Sequence, residues 1–246
     1  MAAVIDLNAD LGEGVGDDAA LLPLVTSANV ACGFHAGDAW TMRTTLSLAA
    51  ENGVTVGAHP SYRDREGFGR RDLEVDPATL RRDVDEQLAA ILAAARDTGV
   101  EVAYLKPHGA LYNRIARDRA EADVVAAAAA DSGLPILGLP GTAIAHSAAA
   151  HGVDFFAEAF ADRGYRADGT LAAREVPGGV LHDPDAIAAR VVRLATEGVV
   201  DDVDGGDVAV QALSVCVHGD TPGAVAIARA VRAALAEADV AVRSFA

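Results

Sequence analysis

The stretch Val4-Ile-Asp6-Leu-Asn8-Ala-Asp10-Leu-Gly-Glu13 leads from an apolar run into a polar turn that contains glycine. Five further apolar runs end in similar clusters: Asn29-Val-Ala-Cys32-Gly-Phe-His35-Ala-Gly-Asp38, Gly57-Ala-His59-Pro60, Lys106-Pro-His108-Gly109, Glu158-Ala-Phe-Ala-Asp162-Arg163 and Cys216-Val-His218-Gly219-Asp220. A strand, a polar turn and a helix form the repeating unit of α/β enzymes, whose sites lie at the carboxyl ends of parallel strands. The pattern therefore predicts an α/β enzyme.

Length and composition fit one domain. The chain has 246 residues, 51% of them hydrophobic, which is the size of a single (β/α) barrel. We therefore expect one domain over residues 1–246, built as a TIM-like α/β barrel of seven strands.

The net charge and the cysteine content limit the possible partners and the cellular compartment. The net charge of −16 argues against nucleic acid or anionic lipid as the main partner, because both require clustered Lys and Arg. No signal peptide or membrane-spanning run is visible, and two cysteines suggest no disulfide framework. These features predict a cytoplasmic protein.

Strands are expected to alternate with helices along the whole chain, which implies parallel pairing. The expected strands are Val4–Asn8, Ser27–Cys32, Thr55–His59, Glu101–Lys106, Pro135–Leu139, Val153–Glu158 and Ala209–Val217, with a short final strand in Val240–Ser244. The expected helices are Ala39–Asn52, Pro77 to Gly99, Glu121–Asp131, Thr142–His151, Pro184–Glu197 and Thr221–Asp239. Pro60–Asp76 and Asp162–Asp183 are expected to be irregular.

Alternation of side chains along a strand places Asp6, Asn8 and Asp10 on one side of the first strand. Asp6 and Asn8 could serve only to cap loops, whereas Asp10 with Glu13 in a glycine turn favours function.

Four histidines, His35, His59, His108 and His218, each lie at the end of a different strand. One carboxylate with two histidines is a common divalent metal site, and Asp10, His59 and His108 are the best trio. Acid/base work without a metal explains the same residues. The spacing does not decide between the two, because no HExxH pattern is present.

Basic and acidic clusters suggest anion binding and proton transfer. Lys106 at a strand end could hold a carboxylate, a phosphate or an oxyanion, and Gly67-Phe-Gly-Arg70-Arg71 could grip an anion. Glu158 with Asp162 is either an acid/base pair or part of an ion-paired loop. The P-loop, the dinucleotide fingerprint and the G-x-S-x-G elbow are all missing from the sequence.

In order and over nearly the whole chain, these clusters, together with Gly67-Phe-Gly-Arg-Arg71 and Lys106-Pro-His-Gly-Ala-Leu-Tyr-Asn113, resemble those of the LamB/YcsF family. The resemblance implies a barrel similar to glycoside hydrolase/deacetylase barrels. It also implies ATP-dependent opening of 5-oxo-L-proline to L-glutamate, together with partner subunits B and C. ATP would then be bound mainly through those partners.

The residues and the resemblance together give one set of expected roles. The catalytic candidates are Asp10, His59, Lys106, His108 and Glu158. The candidates for binding substrate or phosphate are Asp6, Asn8, Glu13, His35, Asp38, Arg70, Arg71, Asp162, His218 and Asp220. A divalent metal, if used, would be held by Asp10, His59 and His108.

Two other classes of function remain open. The first is a metal-dependent deacetylase or amidohydrolase that acts on a small carbohydrate or amide without ATP. The second is a non-catalytic subunit that carries a small carboxylate for a partner.

Overall fold

The computed structural model describes residues 3–246. Their strands are β1 (Val4–Leu11), β2 (Ser27–Ala31), β3 (Thr55–His59), β4 (Val102–Leu105), β5 (Ile136–Gly138), β6 (Phe155–Phe160), β7 (Val199–Asp201), β8 (Asp207–Ala209), β9 (Ser214–His218) and β10 (Ala241–Val242). Their helices are α1 (Asp18–Leu21), α2 (Ala39–Glu51), α3 (Pro77–Thr98), α4 (Gly109–Ile115), α5 (Arg119–Ser132), α6 (Ala143–Ala150), α7 (Pro184–Glu197) and α8 (Ala224–Glu237).

Seven parallel strands close into a barrel in the order β1-β2-β3-β4-β5-β6-β9, and β9 pairs back onto β1. The predicted seven-stranded (β/α) barrel is therefore confirmed. The register places Asp10 beside Asn29 on one side and beside His218 on the other. Closure thus brings residues from opposite ends of the chain to one point at the carboxyl end of the barrel.

Helix ends follow from local sequence. Asp76 caps α3 by accepting a hydrogen bond from the backbone N–H of Thr79, and Pro77 occupies the first turn. The helix ends at Gly99, whose φ of 70° is the left-handed cap that glycine adopts at low cost. Its apolar face, which includes Leu80 and Ile91, is buried against the barrel.

The two faces of β1 bury different chemistry. Leu7, Ala9 and Leu11 belong to the apolar core between barrel and helices, whereas Asp6, Asn8 and Asp10 bond to polar side chains of neighbouring strands. The barrel interior is therefore polar along this strand. At the amino end of the barrel, the Phe245 ring lies 5.0 Å from the Tyr104 ring and 4.9 Å from the Phe156 ring. These aromatic rings close that end of the barrel.

The expected strand over Ala209–Val217 is wrong in extent. Its first residue belongs to β8, which pairs antiparallel with β7 in a separate two-stranded sheet, and only β9 enters the barrel. The residues between them include exposed Gln211 and half-exposed Leu213. The mostly apolar run, which only Gln211 and Ser214 interrupt, concealed this change of sheet.

Two further differences affect the site. No pattern in the sequence predicts α4, which begins at Gly109 directly after His108 and has no side-chain cap. The last described barrel strand before the irregular segment, β6, starts and ends two residues later than expected, so that it reaches Phe160. Both differences bring additional residues to the carboxyl end of the barrel.

Residues 162–183 form no regular helix or strand, as expected. Buried Arg163 fastens this segment by donating to the carbonyls of Ala172 (2.6 Å) and Gly179 (3.0 Å). Arg190 of α7 donates to the carbonyl of Arg163 (2.9 Å). The segment, called the covering loop below, lies over the carboxyl end of the barrel. Within residues 3–246, every helix is too short or too polar to cross a membrane.

Candidate active site

A cavity of about 610 Å³ opens at the carboxyl end of the barrel. Its floor is made of strand-end side chains, and its wall includes several arginines of the covering loop. The floor residues are Asp10, His59, Lys106, His108 and His218. These residues come from β1, β3, β9 and the segment between β4 and α4, so the structure brings together side chains that the sequence placed at separate strand ends.

Lys106 is the centre of an ionic cluster beneath the cavity. Its Nζ lies 3.0 Å from a carboxylate oxygen of Glu158 and 3.1 Å from one of Asp10. The same nitrogen donates to Oδ1 of Asn8 (3.2 Å) and to Sγ of Cys216 (3.1 Å). Lys106 is also the only lysine of the chain. Its ammonium is thus fixed in place by charge and by hydrogen bonds.

Burial and ion pairing set the protonation of this cluster. Burial alone would lower the pKa of Lys106, but the nearby carboxylates, Asp10 above all, hold it well above its usual value. Burial would raise the pKa of Asp10, yet Lys106 and His59 hold it well below the usual range. Burial raises the pKa of Glu158, and Lys106 offsets this only in part. Lys106 and Asp10 are therefore a charged pair.

His59 and His108 point one ring nitrogen each at the other. The Nδ1 of His59 lies 2.7 Å from the carbonyl oxygen of Lys106, and the Nε2 of His108 lies 2.9 Å from that of Phe68. Because a carbonyl oxygen only accepts, each of these nitrogens carries a hydrogen. The remaining two nitrogens, Nε2 of His59 and Nδ1 of His108, lie 3.0 Å apart.

Glu13 and His35 complete a second buried cluster around these rings. An oxygen of Glu13 lies 3.2 Å from Nε2 of His35 and 3.3 Å from Nδ1 of His108. The His35 and His108 rings stack at 3.9 Å. One donor atom from each of Glu13, His35, His59 and His108 lies within 4.8 Å of the others, so this cluster could bind a metal.

Burial governs the protonation of the second cluster as well. It lowers the pKa values of His35 and His108 well below the usual value, and the neighbouring histidines add to the effect. It raises the pKa of Glu13 well above the usual value, with help from Asp10. The His35 and His108 rings are therefore neutral at physiological pH.

The segment Gly67-Phe68-Gly69-Arg70-Arg71 packs against the histidines. Its two arginines point to different places. A Cβ at Gly69, whose φ is 67°, would lie 2.8 Å from Cβ of His35 and 2.9 Å from the His108 ring. Only glycine allows this contact. Arg70 lines the cavity and donates to Asp220 at 2.6 Å, whereas Arg71 pairs with Asp64 and lies outside the cavity lining.

Asp162 and His218 form a second carboxylate–imidazole pair at the floor. The Nδ1 of His218 lies 2.7 Å from Oδ1 of Asp162, whose other oxygen accepts from Thr221 at 2.7 Å. Burial would raise the pKa of Asp162, but His218 holds it below the usual value. The Asp162 carboxylate orients the ring, and His218 faces the cavity.

Of the ten predicted binding residues, Arg70 and His218 line the cavity. The predicted catalytic residue Glu158 lies outside its lining, and so do the other eight: Asp6, Asn8, Glu13, His35, Asp38, Arg71, Asp162 and Asp220. Asp6 is buried deeper in the barrel, where hydroxyls of Thr26, Ser27 and Ser214 donate to it. Asn8 is also below the floor, bonded to Ser214 and Asn29. Asp38 is an exposed residue whose side chain caps α2. These positions suit structural support of the site.

Arg166 and Arg174 of the covering loop are the principal site residues that the motifs missed, whereas Arg163 ends one of the quoted clusters but has no predicted role. Arg163, Arg166 and Arg174 line the cavity together with Arg70. Burial lowers the pKa of Arg174, and repulsion from Arg70 lowers it further. Several basic residues within one irregular segment of a strongly acidic chain are the sequence signal that could have revealed them.

The family model and the relatives that match the sequence of this chain agree with each other. The LamB/YcsF family model matches residues 5–246. A protein from Nocardia farcinica that is named as the A subunit of 5-oxoprolinase is 55% identical over 248 residues, which cover 98% of this chain and 99% of that protein. The protein of the same name from Streptomyces avermitilis is 53% identical over 250 residues, or 99% of this chain and all of that one.

Structural comparisons agree with the sequence matches. A crystal structure of the lactam utilization protein from Thermus thermophilus superposes with a TM-score of 0.93 at 42% identity, covering 98% of this chain and all of that one. A family 4 carbohydrate esterase from Streptomyces lividans has a TM-score of 0.52 at 10% identity, covering 99% of this chain and 93% of that one. The second match shows a shared barrel fold alone.

Proposed function

Since this chain belongs to the LamB/YcsF family, we propose that it is the ring-opening subunit of an ATP-dependent 5-oxoprolinase. The reaction converts 5-oxo-L-proline, ATP and two waters to L-glutamate, ADP and phosphate. Relatives that share more than half of its residues over their full length are named as the A subunit of 5-oxoprolinase. That name suggests partners, which we propose to be subunits B and C.

The observation that carries the proposal is a charged, buried lysine at the floor of an arginine-lined cavity. Lys106 is 1% exposed and is held between Asp10 and Glu158. A lactam is a poor electrophile, so its hydrolysis requires activation of the carbonyl and stabilisation of the charge that develops on oxygen. A fixed ammonium in a site of low polarity is well suited to that stabilisation.

The proposed chemistry divides between subunits. Phosphorylation of the lactam oxygen by ATP gives an activated imidate and ADP. Water then adds to the ring carbon, the C–N bond breaks, and the nitrogen takes up a proton. A second water displaces the phosphoryl group as phosphate, which leaves L-glutamate and balances the two waters consumed. Since the sequence lacks a P-loop, we assign the phosphorylation mainly to subunits B and C.

The floor residues provide the groups for ring opening. Asp10, His59 and His108 surround the place where the attacking water would bind, and Asp10 accepts or directs its proton. His218, oriented by Asp162, faces the same cavity and can deliver a proton to the departing ring nitrogen. Lys106 lies between these two groups and stabilises the oxyanion.

The arginines of the cavity wall would bind the anionic groups of the substrate. Arg70 and Arg174 repel one another across the cavity, and an anion between them relieves that repulsion. The substrate carboxylate and the phosphoryl group of the activated ring are such anions. Arg71 is not assigned this role, because it pairs with Asp64 and lies outside the cavity lining.

The test is glutamate release from 5-oxoproline and ATP, measured for this chain alone and with its subunits B and C. Glutamate from the complete mixture only is the expected result. Glutamate from the isolated chain would refute the assignment of ATP chemistry to the partners. A complete mixture that forms no glutamate would refute the proposed function.

The buried Glu13–histidine cluster favours one second candidate. A metal-dependent amidohydrolase or deacetylase would use such a cluster to hydrolyse a small amide without ATP. Hydrolysis by the isolated chain in the absence of ATP would establish it over the first proposal.

A further inference from the structure

The Glu13–histidine cluster has an unusual distribution of hydrogens. His59 and His108 each use one nitrogen to donate to a backbone carbonyl, at 2.7 and 2.9 Å. The other two nitrogens, Nε2 of His59 and Nδ1 of His108, face each other at 3.0 Å, and Nε2 of His59 also lies 3.5 Å from a carboxylate oxygen of Asp10. Without a further hydrogen, each of the two nitrogens presents a lone pair to the other. Two facing lone pairs repel, so the arrangement requires a cation or an added proton between them.

The buried Glu13 carboxyl also requires a compensating positive charge. The Glu13 carboxyl is 6% exposed and has only imidazoles as ion-pairing neighbours among residues 3–246. The His35 ring is 1% exposed, and its Nε2 lies 3.2 Å from Glu13, so it holds the carboxyl in place. A buried carboxylate without a basic partner is costly, and a metal ion would compensate its charge.

The distances between these atoms suit ligands of one ion. The pairs His59–His108 and Glu13–His108 have separations of 3.0 and 3.3 Å between facing atoms. Ligands that each lie about 2.0–2.1 Å from one zinc ion are about 3 Å from each other. Metal-binding histidines also typically donate their second nitrogen to a backbone carbonyl or carboxylate, as His59 and His108 do.

We propose that Glu13, His59 and His108 bind one divalent transition-metal ion of the zinc type. Two imidazoles and one carboxylate are ligands that such ions prefer over Mg²⁺ or Ca²⁺. His35 stacks on His108 with the ring planes 7° apart, so it cannot point its lone pair at the same ion, and it supports Glu13 instead. The ligand set differs from the trio that the sequence suggested, because it replaces Asp10 by Glu13. His59 and His108 also line the cavity, so an open position of the ion faces the substrate space.

The neighbouring donor group makes a poorer site. Asp10, Cys216 and His218 also have donor atoms within 4.8 Å of one another. However, the ammonium of Lys106 lies 3.1 Å from both the Asp10 oxygen and the Cys216 sulfur. A second cation cannot share that space. Asp10 is therefore a neighbour of the proposed ion and remains free to act on water.

The experiment is titration calorimetry of the full-length chain, stripped with a chelator, against Zn²⁺ and Co²⁺. We expect one ion per chain, visible absorption of the bound Co²⁺, and a rise in melting temperature with Zn²⁺. Glu13→Gln should weaken Zn²⁺ binding by at least about 100-fold, and His35→Gln, which removes a support of Glu13, by about tenfold. These readouts need neither substrate nor partner subunits, so they stand or fall independently of the proposed reaction.

Two controls locate the ion. Exposed His182→Ala should leave the affinity within about twofold, and Asp10→Asn should weaken it by less than about tenfold. Loss of binding in Asp10→Asn with retention in Glu13→Gln would overturn the ligand set in favour of the Asp10 trio. The absence of stoichiometric binding to the folded wild-type chain would overturn the metal site, and would mean that a proton lies between His59 and His108.

Discussion

The two polar clusters at the carboxyl end of the barrel are neighbours, but they differ in how completely their groups are paired. In the ionic cluster, Lys106 contacts Asp10, Glu158, Asn8 and Cys216, and every contact joins a donor to an acceptor or opposite charges. Its contacts are all matched, although Oε1 of Glu158 has no hydrogen-bond partner among residues 3–246. We expect the Lys106 ammonium to be held rigidly before substrate arrives.

The Glu13–histidine cluster is incomplete by the same criterion. Lone pairs of His59 and His108 face each other, and a nitrogen of His35 has no partner among residues 3–246. The comparison shows that burial alone does not distinguish a structural cluster of polar groups from one that binds a ligand. Two lone pairs that face each other indicate a missing cation or proton between them, whereas a buried charge whose contacts are all matched indicates preorganisation.

Breaking the ionic cluster should have the largest effect. Lys106→Met leaves Asp10 and Glu158 buried without a cation, and it removes the oxyanion stabiliser. We expect turnover by the complete enzyme to fall at least about 1000-fold, and the free energy of unfolding to fall by about 3 kcal/mol. Glutamate release and urea unfolding measure the two effects. Stability and turnover near wild-type values would show that the cluster has neither role.

Breaking the other cluster should separate activity from stability. His108→Ala removes one ring from an already incomplete set, so turnover should fall at least about 100-fold, while the free energy of unfolding changes by less than about 2 kcal/mol. His146→Ala, in an exposed position on α6, is the matched control and should behave as wild type. Unchanged glutamate release in His108→Ala would remove His108 from the mechanism.

The cavity wall should contribute to binding more than to turnover. Arg174→Ala should raise the KM for 5-oxoproline about tenfold with a smaller change in kcat, because it removes one charge that binds the anion. Arg174→Lys should restore part of the loss. Arg71→Ala is the control, since Asp64 holds that side chain away from the cavity. An equal effect of Arg71→Ala would contradict the assignment of the wall.

The pH dependence of stability tests the ion pairs of Lys106 in the wild-type chain, without a substitution. Its pKa is raised well above the usual lysine value of 10.5, so the ion pairs contribute their full stability below that pH. The contribution is lost as pH rises through the folded-state pKa. Lysine labelled with ¹³C gives one lysine signal, because the sequence has one lysine. Titration of that signal below pH 10.5 in the folded chain would contradict the ion pairing.

Much of the fold could be predicted from the sequence because it depends on local patterns. Alternation of side chains put Asp6, Asn8 and Asp10 on one side of β1, and their shared partners bear this out. Parallel strands end at the same end of a barrel, so His59, His108 and His218 meet there. These inferences needed only strand identity and direction.

The remaining features depend on loop conformation, which no periodic pattern in the sequence predicts. Adjacent Arg70 and Arg71 look equivalent in the sequence, yet one faces the cavity and the other pairs with Asp64. The approach of Glu13 to His35 depends on loops that follow β1 and β2. Arg174 lies in the covering loop, where neither helical nor strand spacing predicts its direction.

One measurement tests the central claim most directly, namely that this chain opens the ring while its partners activate it. ADP and glutamate are counted together in the complete mixture, first with the wild-type chain and then with His108→Ala. The account predicts equal amounts of ADP and glutamate for wild type. For His108→Ala it predicts ADP without glutamate, because water removes the phosphoryl group from the activated lactam and returns it to 5-oxoproline and phosphate. Loss of both products together, with the variant still folded and bound to its partners, would contradict it.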